Sequence, residues 1–193
     1  MQNTAVKIMN ITKAFGANNV LSGIDLELNS GQVTVLMGAN GAGKSTLIKG
    51  LAGVQPYDAG EVRFDGELQE LHSPRQASAL GIEVVYQDLA LCENLDIVQN
   101  MFLGRETLKS GTLSEAEMEA AAARALQSLS VKTVRSVRQT VSSLSGGQRQ
   151  TVAIARTVLR DARLVVLDGR TAALGVAQTE QVLNLVRRLA DQG

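Results

Sequence analysis

Two glycine-rich segments contain the side chains of this chain that are best suited to chemistry. They are Gly38-Ala39-Asn40-Gly41-Ala42-Gly43-Lys44-Ser45-Thr46 and Leu144-Ser145-Gly146-Gly147-Gln148. The small residues of the first segment let the backbone curl, so that successive N–H groups point inward and bind an anion. Lys44 adds a positive charge, the Ser45 hydroxyl can hold Mg²⁺, and a helix that begins there points the positive end of its dipole at the same anion. The first segment therefore predicts a polyphosphate site.

The residues on either side of the first segment have the patterns of a strand and a helix. Residues 33–37 form a short apolar run, typical of a buried strand that leads into the glycines. After the glycines, apolar residues recur at helical spacing at Leu47, Ile48 and Leu51. A glycine-rich turn without a ligand is the alternative interpretation, but both flanking elements are the ones that phosphate binding requires.

The second segment has the spacing of a capping box, in which Ser145 bonds to the N–H three residues on and Gln148 reaches back. Apolar residues at helical spacing follow, and then an apolar strand at residues 164–167. Taken alone, the segment is best interpreted as a helix cap. Asp168 comes directly after the strand, at the edge where parallel sheets place their ligands.

The composition is that of an ordinary globular protein. With 193 residues, of which 45% are hydrophobic, the chain fits one domain with room for an inserted subdomain. Basic and acidic residues balance at 19 each, so we expect no nucleic-acid partner. The single Cys92 cannot form an internal disulfide, and the N-terminus lacks the apolar stretch of a secretion signal. We therefore expect a reducing, cytosolic setting. No apolar run approaches the ~18 residues of a membrane span, so we expect a membrane role only through a partner protein.

The remaining patterns predict further strands and helices around these segments. Residues 5–11 and 24–28 alternate between apolar and polar types, which indicates two edge strands. Ser73 starts a short helix that ends at Gly81, before an apolar strand at residues 82–86. These patterns favour an α/β fold.

The middle of the chain is predicted to be helical. Between residues 88 and 143 the strand patterns stop, and a capping box at Ser114 opens an alanine-rich helix that runs to about Leu129. We therefore predict a nucleotide-binding α/β core from residues 1–87 and 144–193, with residues 88–143 as a helical subdomain. The final helix is predicted to bury Val182, Leu185, Val186 and Leu189.

Over nearly its whole length the chain resembles the ATP-binding subunits of ABC transporters, through the two glycine-rich segments and the strand that ends at Asp168. The resemblance implies a P-loop NTPase-type parallel sheet with an antiparallel β edge, and Mg·ATP as the ligand. It also implies a homodimer packed head to tail, in which the second segment of one subunit contacts the γ-phosphate held by the other. The implied nucleotide-binding residues are Phe15, Gly38, Asn40, Gly41, Ala42, Gly43, Lys44, Ser45, Thr46, Ser145, Gly146, Gly147 and Gln148.

The resemblance also implies catalytic and metal-binding roles. Asp168 and Gln87 match the catalytic pair that, together with Ser45, contacts Mg²⁺, although Gln87 could also be a solvated residue at a strand end. Phe15 matches the aromatic residue that stacks on adenine, with an ordinary core residue as the alternative. Residues 88–95 correspond to the surface that receives a permease's coupling helix, and the core of the helical subdomain is the alternative interpretation.

Residues 99–106 and 171–175 look like those of bacterial monosaccharide importers of the ribose, xylose and fructose type. The resemblance therefore implies carbohydrate import as the function. The implied partners are a second ATPase subunit, membrane permease subunits and, indirectly, a sugar-binding protein. The implied location is the cytoplasmic face of the cell membrane, with peripheral attachment through the permease.

The chain departs from the family pattern directly after Asp168. The family has Asp-Glu-Pro-Thr there, and this chain has Gly169, Arg170 and Thr171 after the aspartate. The missing glutamate polarises the attacking water, and loss of such a base typically costs ~10²- to 10⁴-fold in rate. Phosphate binding does not need this carboxylate.

Two other family features lie beyond Gly193: the switch histidine, and a strand between the one that leads to Gly38 and the one that ends at Asp168. The fold is therefore expected to be incomplete at the C-terminus, with two buried strands lacking a shared neighbour. The only histidine, His72, precedes the helix at Ser73 and is expected on the surface.

Three functions remain to be compared. The first is an ATP-hydrolysing import subunit, and the second is a nucleotide-binding chain whose hydrolysis is impaired. A third, an ABC protein that works on DNA or ribosomes, predicts heptad insertions or basic surfaces, and the sequence has neither.

Overall fold

The computed structural model describes residues 4–86, 89–129, 134–168 and 176–191. The chain divides into two compact units, one formed by residues 1–84 and 189–193 and the other by residues 85–188. The predicted division into a nucleotide-binding core and a helical subdomain stays a prediction. Among the described residues, no helix is both long and apolar enough to cross a membrane.

A four-stranded antiparallel sheet is the main element of the first unit. Its strands run in the order β2-β1-β3-β4. Both predicted strands are confirmed and extend further than the alternating patterns indicated, but only β2 lies at an edge of this sheet, because β1 pairs with β2 on one side and with β3 on the other. In β1, Val6, Ile8 and Ile11 are fully buried. The strands are β1 (Thr4–Phe15), β2 (Asn18–Asn29), β3 (Ala59–Phe64) and β4 (Glu67–Gln69).

The hairpin formed by β3 and β4 was not predicted from the sequence. Its turn consists of Asp65 and Gly66, which adopt φ angles of 50° and 83°. An Asp-Gly pair at positive φ is the turn that twisted hairpins favour. This dipeptide was therefore the local signal that could have identified the two strands.

Two short helices of the first unit begin where the sequence predicts them. They are α1 (Lys44–Leu51) and α2 (Pro74–Ala79), and strand β5 (Ile82–Val85) follows α2. The Ser73 hydroxyl accepts a hydrogen bond from the Gln76 N–H at 3.3 Å, as expected for the predicted cap. Gly81 then adopts a φ of 82°, which ends the helix before β5.

The prediction of a buried strand at residues 33–37 is wrong. This segment belongs to no strand, and its side chains are exposed, with 73% for Val35 and 85% for Met37. Within the part of the chain that the structure describes, no backbone hydrogen bond reaches residues 33–37. A buried strand needs partners for its N–H and C=O groups, and without them the segment keeps these groups in water.

Helices dominate the second unit, as predicted for the middle of the chain. Val98, Met101, Ala122, Leu126 and Val152 form part of its buried core. A two-stranded hairpin, which was not predicted, lies between two of the helices. The elements are α3 (Ile97–Phe102), β6 (Leu108–Lys109), β7 (Thr112–Leu113), α4 (Glu115–Ser128), α5 (Gly146–Leu159), β8 (Leu164–Leu167) and α6 (Val176–Asp191).

The helix predicted after Ser114 is confirmed, but its predicted capping box is wrong. The Ser114 side chain makes no capping hydrogen bond. In a capping box the N3 side chain bonds to the N–H of the cap residue. Here the Ser114 N–H already donates to the Thr107 carbonyl at 2.9 Å, next to the hairpin, so it is not available to the N3 side chain.

The last helix, α6, has the apolar face that the sequence predicts. Val182 and Leu185 are buried, whereas Val186 and Leu189 are half-buried. The prediction that strand 164–167 ends at Asp168 is confirmed by the bounds of β8.

Candidate functional site

The loop at residues 38–43 curls around the ammonium group of Lys44. Lys44 Nζ donates hydrogen bonds to the carbonyl oxygens of Gly38 and Ala39, both at 2.7 Å. The Ala42 N–H also donates to the Ala39 carbonyl, at 3.2 Å. These bonds hold a compact, exposed loop in which a positive charge already lies against the backbone.

Gly43 lies directly against β2. It adopts a φ of 87°, in the left-handed region that favours glycine. A Cβ at this position would lie 2.8 Å from Leu21 Cδ2 and 2.9 Å from the Val20 carbonyl oxygen on β2. A glycine is therefore required here both by conformation and by space.

The N-terminus of α1 is open to an anion. Its cap residue is Gly43, and no side chain caps the helix. The first helical hydrogen bond runs from the Leu47 N–H to the Gly43 carbonyl at 2.9 Å. Among the described residues, no acceptor bonds to the N–H groups of residues 43–46. Four unpaired N–H groups at a positive helix end, beside an ammonium group, form a site that favours phosphate.

Tyr57 holds α1 from the other side. Its hydroxyl donates a 2.6 Å hydrogen bond to the Leu47 carbonyl, and burial raises the pKa of its phenol. The ring lies so close to Gly50 that a Cβ there would be 2.1 Å from it. Tyr57 and Gly50 therefore fix the helix that carries Lys44 and Ser45.

We expect Tyr57→Phe to lower the free energy of unfolding by about 1 kcal/mol, because it removes the partner of a part-buried carbonyl. Denaturant titration of the variant and the wild type measures this loss. Gly50→Ala is the companion variant, and its loss should be larger because the ring must move. An unchanged unfolding midpoint for Tyr57→Phe would show that this hydrogen bond does not stabilise α1.

Phe15 lies at the end of β1 and is not a core residue. Its side chain is 44% exposed, and Lys13 Nζ lies 5.8 Å from the ring centroid. Lys13 is itself held by Asp58, whose carboxylate accepts from Lys13 Nζ at 2.6 Å and from the Ala14 N–H at 2.7 Å. Phe15 therefore offers an exposed ring face, and its stacking on adenine stays a prediction.

The contacts of Asp58 have a consequence for acid stability. The hydrogen bond from Lys13, together with that from the Ala14 N–H, lowers the pKa of Asp58 below its usual value of 3.8. A carboxylate whose pKa is lowered by folding stabilises the fold above its unfolded pKa, and this contribution is lost as the pH falls through the folded pKa. We expect Asp58→Asn to be less stable than the wild type at pH 7, with a smaller difference at pH 3. Urea midpoints at both pH values measure it, and a constant difference would contradict this role.

The second glycine-rich segment forms the exposed start of α5. The Ser145 hydroxyl accepts from the Gln148 N–H at 3.3 Å, and the Gln148 side-chain oxygen accepts from the Ser145 N–H at 2.9 Å. The predicted capping box is therefore confirmed. Gly147 is buried, but a Cβ on Gly146 would meet no atom within 4 Å. The space beside Gly146 is open.

Asp168 lies where the sequence places it, directly after β8. Its N–H donates to the Val85 carbonyl at 2.9 Å, and the residue is half-buried. The predicted Gln87, and the departures Gly169 and Arg170, lie outside the described residues. His72 is exposed, as expected of a surface histidine, and its Nε2 atom lies 3.3 Å from Glu70 Oε2.

Three polar residues of the second unit were not identified from the sequence. Asn100 is 1% exposed and bonds to the backbone of Cys92, Leu95 and Asp96. Glu93 and Arg149 form an ion pair at 2.7 Å. The one signal for Asn100 is a polar residue amid the apolar residues of α3, whereas no sequence signal connects Glu93 with Arg149.

Comparisons with known protein sequences agree with one another. The family model for the ABC transporter matches residues 21–172. The chain is 42% identical over 188 residues to the xylose/arabinose import ATP-binding protein of Sulfolobus acidocaldarius, covering 97% of this chain and 74% of that protein. It is 40% identical over 190 residues to the fructose import ATP-binding protein of Rhizobium meliloti, covering 95% and 73% respectively.

A third relative is longer. The chain is 39% identical over 189 residues to the ribose import ATP-binding protein of Lactococcus lactis, covering 97% of this chain and 38% of that protein. The chain thus spans about three quarters of the length of the first two relatives, and well under half of the third.

Comparisons with solved structures identify the same fold. The chain superposes on an ADP-bound ATP-binding cassette of an ABC transporter, MJ1267, with a TM-score of 0.86 and 26% identity, covering 98% of this chain and 78% of that one. A nucleotide-free cassette gives a TM-score of 0.84 with the same identity and the same coverage of both chains. The predicted P-loop NTPase-type fold is therefore confirmed.

Proposed function

Because the chain belongs to the ABC transporter family of ATP-binding domains, we propose that it binds Mg·ATP and serves as the ATP-binding subunit of a carbohydrate importer. The observation that carries the proposal is the open N-terminus of α1, where four N–H groups beside Lys44 have no acceptor in the part of the chain that the structure describes. This arrangement matches the triphosphate of a nucleotide in both charge and hydrogen-bonding capacity. The three named import relatives supply the carbohydrate context.

Each residue of the loop has a distinct part in binding. The N–H groups at the start of α1 donate to phosphate oxygens, and Gly43, which carries no Cβ, lets the loop lie directly against β2. Lys44 exchanges its two carbonyl partners, Gly38 and Ala39, for phosphate oxygens of the bound nucleotide. Asn40, Gly41, Ala42 and Thr46 complete the loop, and Phe15 stacks on the adenine ring.

Mg²⁺ neutralises the phosphate charge when it is bound. The groups that fit it are the exposed Ser45 hydroxyl, the Asp168 carboxylate and the Gln87 amide, all of them oxygen ligands of the kind that Mg²⁺ prefers. We assign the same Gln87 and Asp168 to the catalytic site, on the strength of their match to the family pattern.

A second copy of the chain completes the nucleotide site. The exposed N-terminus of α5, with Ser145 and Gly146, carries the same kind of anion-binding groups as α1. In a head-to-tail dimer these groups contact the γ-phosphate of the ATP that the partner holds. ATP thereby joins the two subunits, and its loss separates them.

We expect Gly146→Glu to fold normally but to prevent dimerisation by Mg·ATP. The position has open space, and an acidic residue in the first helical turn stabilises a helix. The same carboxylate repels a γ-phosphate. Light scattering with and without Mg·ATP measures the change in mass. Gly146→Ala is the control, because it removes the same backbone freedom but adds no charge. A Gly146→Glu variant that dimerises like the wild type would contradict the role of this segment.

The import role requires further partners. We propose that permease subunits contact the surface at residues 88–95, of which Asp88 lies outside the described residues, and hold the chain on the cytoplasmic face of the membrane. A sugar-binding protein then acts indirectly through the permease. We expect the chain to copurify with a permease of the monosaccharide type, and charge reversal at the exposed Glu93 to abolish this copurification.

A second candidate function rests on one observation, Gly169 in the place of the family's glutamate. A chain without this base still binds Mg·ATP and still dimerises, but it hydrolyses ATP slowly, so that its dimer reopens slowly. The rate of ATP hydrolysis relative to ATP binding distinguishes the two candidates.

A further inference from the structure

We propose that Arg149 is a positioning residue. It links residues 142–144, which lead into Ser145, to Glu93, so that residues 142–144 and residues 93–96 move together. The inference concerns the second unit alone. It deepens the proposed function, because Ser145 and Gly146 are the groups that meet the partner's nucleotide, and Glu93 belongs to the proposed permease surface at residues 88–95. Arg149 itself lies one turn into α5 and faces back along the chain.

Arg149 uses three nitrogen atoms on three different partners. Its Nε donates to the Leu144 carbonyl at 3.2 Å, and one terminal nitrogen donates to the Ser142 carbonyl at 3.2 Å. The other terminal nitrogen donates to a carboxylate oxygen of Glu93 at 2.7 Å. One guanidinium group therefore joins the residues directly before Ser145 to a residue 56 positions earlier in the chain.

Backbone hydrogen bonds continue this connection. The Ser142 N–H donates to the Glu93 carbonyl, and the Val141 N–H donates to the Leu95 carbonyl, both at 3.0 Å. Asp96 and Thr140 form an antiparallel bridge beside them. Residues 93–96 and 140–142 thus form a short antiparallel ribbon, with Arg149 at the end nearest to Ser145.

Asn100 anchors the other side of the ribbon. Its side-chain oxygen accepts from the Cys92 N–H at 2.7 Å, and its amide nitrogen donates to the carbonyls of Cys92 and Asp96, both at 2.9 Å. Because Asn100 is buried, residues 92–96 are fixed to α3 and move with it. The ribbon therefore transmits a displacement of residues 93–96 to the start of α5.

The type of residue at position 149 matters for this role. A guanidinium is a planar fork that can satisfy two carbonyls and a carboxylate at fixed angles, whereas an ammonium group on a flexible stem cannot hold the same geometry. Arg149→Lys therefore keeps the charge but loses the fork, and Glu93→Gln keeps the shape but loses the charge. Glu93 has a 65% exposed side chain, so its substitution leaves the core intact.

Hydrogen exchange of the full chain without nucleotide tests the inference. The N–H groups of residues 142–145 all donate hydrogen bonds, so their exchange reports on this segment. We expect Glu93→Gln and Arg149→Lys each to raise their exchange by roughly twofold to fivefold, the range that a partly exposed ion pair supports. The exchange of α4 should change less than that of residues 142–145, and the equilibrium constant of global unfolding should rise by no more than the same factor, because the pair is lost in both kinds of opening.

The matched control is Glu117→Gln. It changes a glutamate about as exposed as Glu93 and removes its ion pair with Lys109, at 3.5 Å, in the same unit but far along the chain from the start of α5. We expect no change at residues 142–145 in this variant. The double variant of Glu93→Gln and Arg149→Lys should exchange no faster than Arg149→Lys alone, because both changes break one connection.

Two results would overturn the inference. In the first, residues 142–145 of Glu93→Gln exchange no faster than those of the control. In the second, the effects of Glu93→Gln and Arg149→Lys on this exchange add in the double variant. Because these measurements need no nucleotide, they are independent of whether the chain binds Mg·ATP. A chain that failed to bind Mg·ATP but showed the expected exchange would refute the proposed function and leave the connection through Arg149 intact.

Discussion

Gly169→Glu should raise the rate of ATP hydrolysis by the chain roughly 10²- to 10⁴-fold, the range that a positioned general base supplies. Asp168, directly before it, is fixed by its N–H bond to the Val85 carbonyl, so the new carboxylate follows a well-placed strand end. A carboxylate there can accept the proton of the attacking water, whereas the hydrogen of Gly169 cannot. Steady-state phosphate release with saturating Mg·ATP measures the change.

Gly169→Gln is the matched control for this experiment. It has nearly the shape of the glutamate and similar backbone freedom, but it cannot act as a base. We expect it to leave the rate near that of the wild type, while ATP affinity is similar in all three proteins. Equal rates for the Glu and Gln variants would show that the defect in hydrolysis lies elsewhere than in the missing carboxylate.

Lys44→Ala should weaken the binding of Mg·ATP by roughly 10- to 100-fold, as expected for the loss of a charge-assisted hydrogen bond to phosphate. The nucleotide loses an ammonium partner. The wild type gives up the two 2.7 Å bonds from Lys44 Nζ to Gly38 and Ala39 when it binds the nucleotide, so their absence in the variant offsets part of the loss. Titration with a fluorescent ATP analogue, followed by competition with ATP, measures the affinity.

Lys49→Ala is the control on the same helix. Lys49 lies in the last turn of α1 and is exposed, so its removal changes the net charge equally but leaves the loop intact. We expect its ATP affinity to stay within about twofold of the wild type, since an exposed distant charge is largely screened. If the two lysine substitutions weakened binding equally, the effect would be one of overall charge and not of the loop.

The parts of the fold that the sequence predicts correctly are those set by local patterns. Strands β1 and β2 alternate in hydrophobicity, and Ser73 and Ser145 cap helices that begin where expected. The loop at residues 38–43 has the same character, because small residues and one lysine determine its curl over a few positions. Local structure of this kind can be predicted from a single sequence.

Most of the wrong and missing predictions depend on hydrogen-bond partners that the local pattern does not specify, whereas the hairpin of β3 and β4 had a local signal in Asp65 and Gly66. Residues 33–37 have an apolar pattern, but a pattern does not supply the neighbouring strand that a buried ladder needs. The cap at Ser114 fails because the Ser114 N–H is bonded to the Thr107 carbonyl, next to a hairpin that was not predicted. The pair of Glu93 and Arg149 is likewise invisible in the sequence, because only the folded second unit brings them together.

The central claim is that main-chain N–H groups and Lys44 bind the triphosphate of ATP, and calorimetry on the purified chain tests it most directly. The account predicts a saturable heat with one Mg·ATP per chain, and binding of AMP that is weaker by at least about 100-fold, since AMP lacks the two phosphates that these groups contact. No heat from Mg·ATP, or equal affinity for ATP and AMP, would contradict it.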